Sequence, residues 1–251
     1  MEYAAALLEQ NQAFGDVIRN ADPSTPVPTC PDWTLQQLFR HVGRGDRWAA
    51  QIVRDRADHY LDPRSVEGGK PPPDPDDAIS WLHGGAQLLI DAVEQAGAET
   101  PVWTFLGPRP AKWWIRRRVH EVAVHRADAA LALGLDYALQ PELAADAITE
   151  WLERATLQAG SDGASLPIED GQSMHLHATD DGLGEAGEWT VRVDAGAISW
   201  SHDHGKGTVA LRGPATDLLL AVTRRVAVAD TDIAVFGDAA VWQKWLDHTP
   251  F

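Results

Sequence analysis

The residues best suited to chemistry sit in one short stretch, RRRVHEVAVHRADAALALG, residues 116–134. It contains HEVAVH, one residue longer than the zinc-protease signature His-Glu-x-x-His. In that signature the histidines are four apart, about 40° from alignment on a helix, so both reach one ion. His120 and His125 are five apart, about 140° out of register by the same geometry, and an unbroken helix does not let them chelate one ion. Glu121 and His125 are four apart and face the same way. A carboxylate and an imidazole at this spacing make a two-point metal half-site, although an isolated pair of this kind is more often solvated. Here the flanking residues are Val122, Ala123, Val124, Ala127, Ala129, Ala130, Leu131 and Leu133. Most of the helix circumference therefore reads as buried, and a buried Glu and His need a partner.

A third ligand must come from elsewhere in the helical half, from His41, His59 or His83. His41 lies between Leu38 and Val42, at or beside a core-facing stripe. A lone histidine there is commonly held by hydrogen bonds only. Combined with Glu121 and His125, it completes a set of two nitrogens and one oxygen with a coordination position left open. That is a catalytic rather than a structural zinc arrangement. Asp128, three residues after His125, is either an exposed acid or a partner that orients the ligand. Of Arg116, Arg117 and Arg118, most are expected to be solvated, because three arginines on one turn cannot all face inward.

The elements that must position these residues follow from periodicity. Apolar residues at helical spacing predict helices over about 2–21, 35–56, 76–96, 116–134 and 141–159. Thr34 with Gln37 forms a capping box for the second, Gly134 closes the fourth, and Pro141 suits the start of the fifth. DPSTPVPTCPDW (22–33) is a proline-punctuated connector, and TPVWTFLGPRPAKWW (100–114) an aromatic-rich one. After about residue 160 the period changes from 3.6 to 2, predicting short strands with two further helices, near 214–225 and 238–247. The expectation is an α+β protein: a helical domain over residues 1–165 and a small α+β domain over residues 166–251. In the second part, His175 and His177 alternate onto one strand face, and His202 and His204 flank an Asp in a turn. A second metal site is one reading; surface histidines in a hairpin is the simpler one.

Composition narrows the function classes. A formal charge of −16 disfavours a nucleic-acid backbone or an anionic membrane as partner. The single cysteine, Cys30, excludes an internal disulfide and fits a reducing, cytoplasmic setting; it reads as a small buried residue rather than a reactive thiol. The first residues lack a basic n-region, so no signal peptide is expected, and no apolar run is long enough to span a bilayer.

Three stretches carry a resemblance: VPTCPDWTLQQLFRHVGRGDRWAA (27–50), PVWTFLGPRPAKWWIRRRVHEVAVHRADAAL (101–131) and FGDAAVWQKWLDHTPF (236–251). Together they resemble the mycothiol-dependent maleylpyruvate isomerase family over nearly the whole chain. The resemblance implies a DinB-like four-helix bundle followed by an α+β domain related in shape to sterol-carrier folds. It also implies a metal triad of His41, Glu121 and His125, with Zn²⁺ or another divalent ion, and mycothiol as thiol cosubstrate. The family's chemistry would be either isomerisation or S-transfer on a small electrophile. In an isomerase the thiolate adds to a conjugated double bond, the resulting single bond rotates, and elimination regenerates the thiol. Arg109, just before the metal helix, is the candidate for binding the thiol, and Arg225 the candidate on the substrate side. The family commonly reads Cys-Pro-Gly-Trp-Thr where this chain has Asp32; Asp tolerates turn conformations. Two other classes remain: a non-catalytic ligand-binding module or sensor, and a thiol-independent metal hydrolase. A monomer or a homodimer is equally compatible.

Overall fold

The computed structural model describes residues 1–159 and 166–249. Its N-terminal unit, Met1–Tyr137, is built on α1 (Tyr3–Ile18), α2 (Leu35–Arg54), α3 (Pro75–Ala96) and α4 (Lys112–Leu133). Local chemistry sets where these helices begin and end. Thr34 donates its backbone N–H to Gln37 Oε1 at 2.7 Å, closing the start of α2. The Asp74 carboxylate accepts from the N–H groups of Asp76 and Asp77 ahead of α3. Gly134 stops α4 in the left-handed conformation, with φ of 64°. α1 packs on α4 and α3, and α2 packs on α3 and α4, so the bundle core lies between all four.

α4 starts at Lys112, earlier than periodicity predicts, because Trp113 and Trp114 belong to its first turn. Trp114 is 1% exposed, and its ring meets Trp48 edge-on at 5.1 Å and stacks with Trp103 at 6.4 Å. The aromatic connector is thus largely a packing cluster. A two-stranded ribbon, β1 (Pro101–Val102) and β2 (Arg109–Pro110), precedes α4.

The second unit, Ala138–Phe251, begins with α5 (Pro141–Gln158). Its sheet has the order β5-β4-β3-β6-β7. β3 (Ser173–Ala178) runs antiparallel to β4 (Glu188–Asp194) and parallel to β6 (Val209–Gly213). β5 (Ala197–Ser201) and β7 (Ala234–Gly237) form the edges. Met174, Leu176, Trp189, Val191, Val209 and Leu211 are wholly buried on one face. α6 (Ala215–Val222) and α7 (Ala239–His248) complete the unit. α5 packs on α6 and β5 and therefore groups with the later residues. The change of periodicity comes after α5, and the 165/166 junction it marks touches residues 160–165, which lie outside the described residues. Helical bundle first and α+β unit second is the α+β architecture that the sequence implies. Among the described residues no helix is long and apolar enough to cross a membrane.

Candidate metal centre

α2 and α4 bring His41, Glu121 and His125 together although 80 residues separate the first two. Glu121 Oε1 lies 3.3 Å from His41 Nε2 and 3.2 Å from His125 Nε2. The two imidazoles stand nearly perpendicular, with centroids 4.8 Å apart. Three donor atoms converge within 4.8 Å of one another. The other carboxylate oxygen of Glu121 is taken by Arg117, one turn earlier on α4. This leaves Oε1 for the shared position between the two rings.

Two of the three donor residues are held by a polar partner, Glu121 by Arg117 and His125 by Asp128. His125 Nδ1 lies 2.7 Å from Asp128 Oδ2, and Asp128 is fully buried. A proton on Nδ1, donated to that carboxylate, leaves Nε2 with its lone pair toward Glu121. Asp128 is held in turn by the Thr29 hydroxyl at 2.6 Å and by the Cys30 thiol at 3.4 Å. Both come from the loop ahead of α2, which is folded tightly by Val27 N–H to Trp33 O at 2.9 Å and Cys30 N–H to Val27 O at 3.0 Å. Trp33 closes the same loop over His41, with ring centroids 4.9 Å apart. Asp32 takes a left-handed φ of 68° in this turn. That is a conformation glycine adopts freely and Asp tolerates.

The electrostatics favour neutral imidazole at His41. Burial, followed by the neighbouring His125 and the charges of Arg118 and Arg117, pushes its pKa down to about 2. Behind it, Arg118 Nε donates to Asp46 Oδ1 at 2.7 Å, and Arg118 Nη2 to Val42 O at 3.1 Å. Burial raises the Asp46 carboxyl while Arg118 draws it down, the former prevailing. Gly45 makes this pairing possible: a Cβ there would stand 2.5 Å from Arg118 Nη1.

Several expectations meet the structure here. Asp128 is no exposed acid but the hydrogen-bond partner of His125. Arg117 and Arg118 are buried, not solvated, because Glu121 and Asp46 are there to pair with them. Cys30 is half-buried against Asp128. His120 is buried away from the triad, edge-on to Tyr3. Arg109 lies on β2, its guanidinium toward the Pro108 carbonyl at 3.4 Å. Arg225 follows α6 and donates to the Thr223 carbonyl at 2.7 Å, at the negative end of that helix. Thr29, Trp33 and Asp46 were not foreseen as neighbours of the triad.

The donor set fits a divalent ion: two imidazole nitrogens and one carboxylate oxygen converge, and one ring is held neutral. The profile of the mycothiol maleylpyruvate isomerase N-terminal domain matches residues 4–130, a span that holds all three donors. The chain belongs to the mycothiol maleylpyruvate isomerase family. The family's C-terminal domain matches residues 142–244. The crystal structure of the mycothiol-dependent maleylpyruvate isomerase has the same fold, with a TM-score of 0.57 at 15% identity over 93% of this chain and 91% of that one. A histidine-to-alanine variant of that enzyme superposes equally, at 14% identity and a TM-score of 0.57. Two Mycobacterium tuberculosis relatives, the uncharacterized proteins MT0763 and Rv0738, are each 27% identical over 141 residues, covering 53% of this chain and 69% of the relative.

Proposed function

We propose that the protein is a metal-dependent enzyme that uses mycothiol to isomerise a small conjugated electrophile of the maleylpyruvate type. The observation that supports this most directly is the single oxygen of Glu121 shared by two Nε2 atoms. His41, Glu121 and His125 would hold the ion, Zn²⁺ being the first choice for this donor set. When bound, such an ion supplies positive charge that lowers the pKa of a nearby thiol, so that thiolate is present near neutral pH.

The chain's own residues prepare the site. Asp128 fixes the tautomer of His125. Arg117 anchors one oxygen of Glu121 and frees the other. Trp33 packs its ring against His41 from the loop side. Arg109 is proposed on the thiol side and Arg225 on the substrate side, both on the family resemblance. S-transfer to an electrophile would use the same thiolate and the same donors.

The test compares purified wild type with His125→Ala. Elemental mass spectrometry should show one bound ion fewer in the variant. Maleylpyruvate turnover should require added mycothiol and disappear with that ion. Equal metal content in the two proteins, or turnover indifferent to mycothiol, would overturn the reading. Arg109→Ala should raise the KM for mycothiol, and Arg225→Ala should lower kcat/KM for the electrophile.

A further inference from the structure

The C-terminal unit carries a second convergence of donors that the proposed chemistry does not use. His175 and His177 occupy alternate positions of β3 and share one face of the sheet. In the antiparallel register His177 stands opposite Glu188 of β4, so that carboxylate rises on the same face. Glu188 Oε2 lies 2.6 Å from His175 Nε2. Glu188 Oε1 lies 2.6 Å from His177 Nδ1 and 3.1 Å from His204 Nδ1. One carboxylate thus meets three imidazoles from two elements.

His204 is not there by chance of an open loop. The segment between β5 and β6 is pinned over the sheet at three points. His202 Nδ1 lies 2.8 Å from the Glu188 carbonyl, and the Thr190 hydroxyl donates to the Asp203 carbonyl at 2.9 Å. Arg192 Nη2 meets the Asp203 carboxylate at 3.2 Å. His175 is only 4% exposed. Surface histidines of a hairpin need none of this construction, and one donor would satisfy a half-buried carboxylate as well as three.

We propose that His175, His204 and Glu188 form a second divalent-metal site, of the borderline class typified by Zn²⁺. Their donor atoms lie within 4.8 Å of one another, two nitrogens and one oxygen. His177 hydrogen-bonds the carboxylate and orients it, as partners of metal ligands do. A cleft of about 570 Å³ opens beside His177, Glu188 and His204 and leaves a coordination position accessible. Its walls carry Asp180, Glu185 and Asp203 beside Glu188; Arg192 pairs with Asp203 and Arg212 lines the cleft, so the acids remain in excess and the local field favours a cation.

The experiment titrates Zn²⁺ into metal-free full-length protein and counts the ions retained after gel filtration. Wild type should retain two per chain. His204→Ala, a change at a mostly exposed ring, should retain one, as should His125→Ala, and the double variant none. Glu188→Gln keeps the side-chain volume and should lose the same ion as His204→Ala. His177→Ala should weaken that ion's affinity about 10–100-fold without removing the site. Should the α2–α4 centre alone fail, wild type would retain one ion, kept by His125→Ala and lost by His204→Ala. Identical stoichiometry and Kd in wild type, folded His204→Ala and Glu188→Gln would overturn the proposal.

Discussion

Replacing Asp128 tests the logic of the proposed α2–α4 centre more sharply than replacing one of its three donors. Asp128 touches no shared position; it acts through His125 Nδ1 at 2.7 Å. Asp128→Ala removes that acceptor, frees the ring to rotate and allows the proton to move to Nε2, where it blocks the lone pair. Loss of such a partner typically costs 10–100-fold in metal affinity, or about 1.4–2.7 kcal/mol. The same change deletes the Thr29 contact at 2.6 Å. Hydrogen bonds to a charged group contribute about 1.5–3 kcal/mol each, offset by the desolvation of a fully buried carboxylate. The metal-free protein should therefore lose about 1–3 kcal/mol of stability. Asp128→Asn separates charge from geometry. Its oxygen can still accept from His125 while its amide donates to the Thr29 hydroxyl, so the affinity loss should fall near tenfold. Competition against a chromophoric chelator at fixed pH measures affinity, and thermal melting of the metal-free proteins measures stability. The expected order is wild type, Asn, Ala in both assays. A folded Asp128→Ala protein that binds Zn²⁺ as tightly as wild type would refute the tautomer argument, whatever its melting temperature.

Two further outcomes follow from the surroundings of the centre. Gly45→Ala would set a Cβ 2.5 Å from Arg118 Nη1; overpacking of about 1–3 kcal/mol should outweigh a helix-propensity gain of up to about 1 kcal/mol, so urea denaturation should show net destabilisation. In metal-free protein His41 should stay neutral across the range where an ordinary histidine titrates, because its pKa is held at about 2. The unfolded chain takes up that proton below about pH 6.5 and the folded chain does not, so this stability is complete above pH 6.5 and is lost as pH falls toward 2. Proton NMR of the His41 ring between pH 5 and 8 should show no titration step.

What the sequence made legible, and what it hid, divides along the reach of its spacing rules. Glu121 and His125 lie on one helix, so a four-residue interval fixes their common face, and the structure puts their side chains 3.2 Å apart. The apolar stripe of α2 likewise put His41 beside the core. Asp128 was visible as a neighbour of His125, but its burial depends on Thr29 and Cys30, 99 and 98 residues away on a loop whose path no periodicity encodes. The three arginines show the same limit from the other side. Counting faces on one turn makes them solvent groups, because a buried guanidinium without a partner is costly. Arg118 nonetheless lies inside because Asp46, 72 residues earlier, meets it there. In the sheet, alternation placed His175 and His177 on one face, whereas Glu188 joined them only through the register of β3 against β4. Candidate donors carried by one element can be read from spacing. The groups that orient them come from other elements, and their identification requires the tertiary pairing that packing decides.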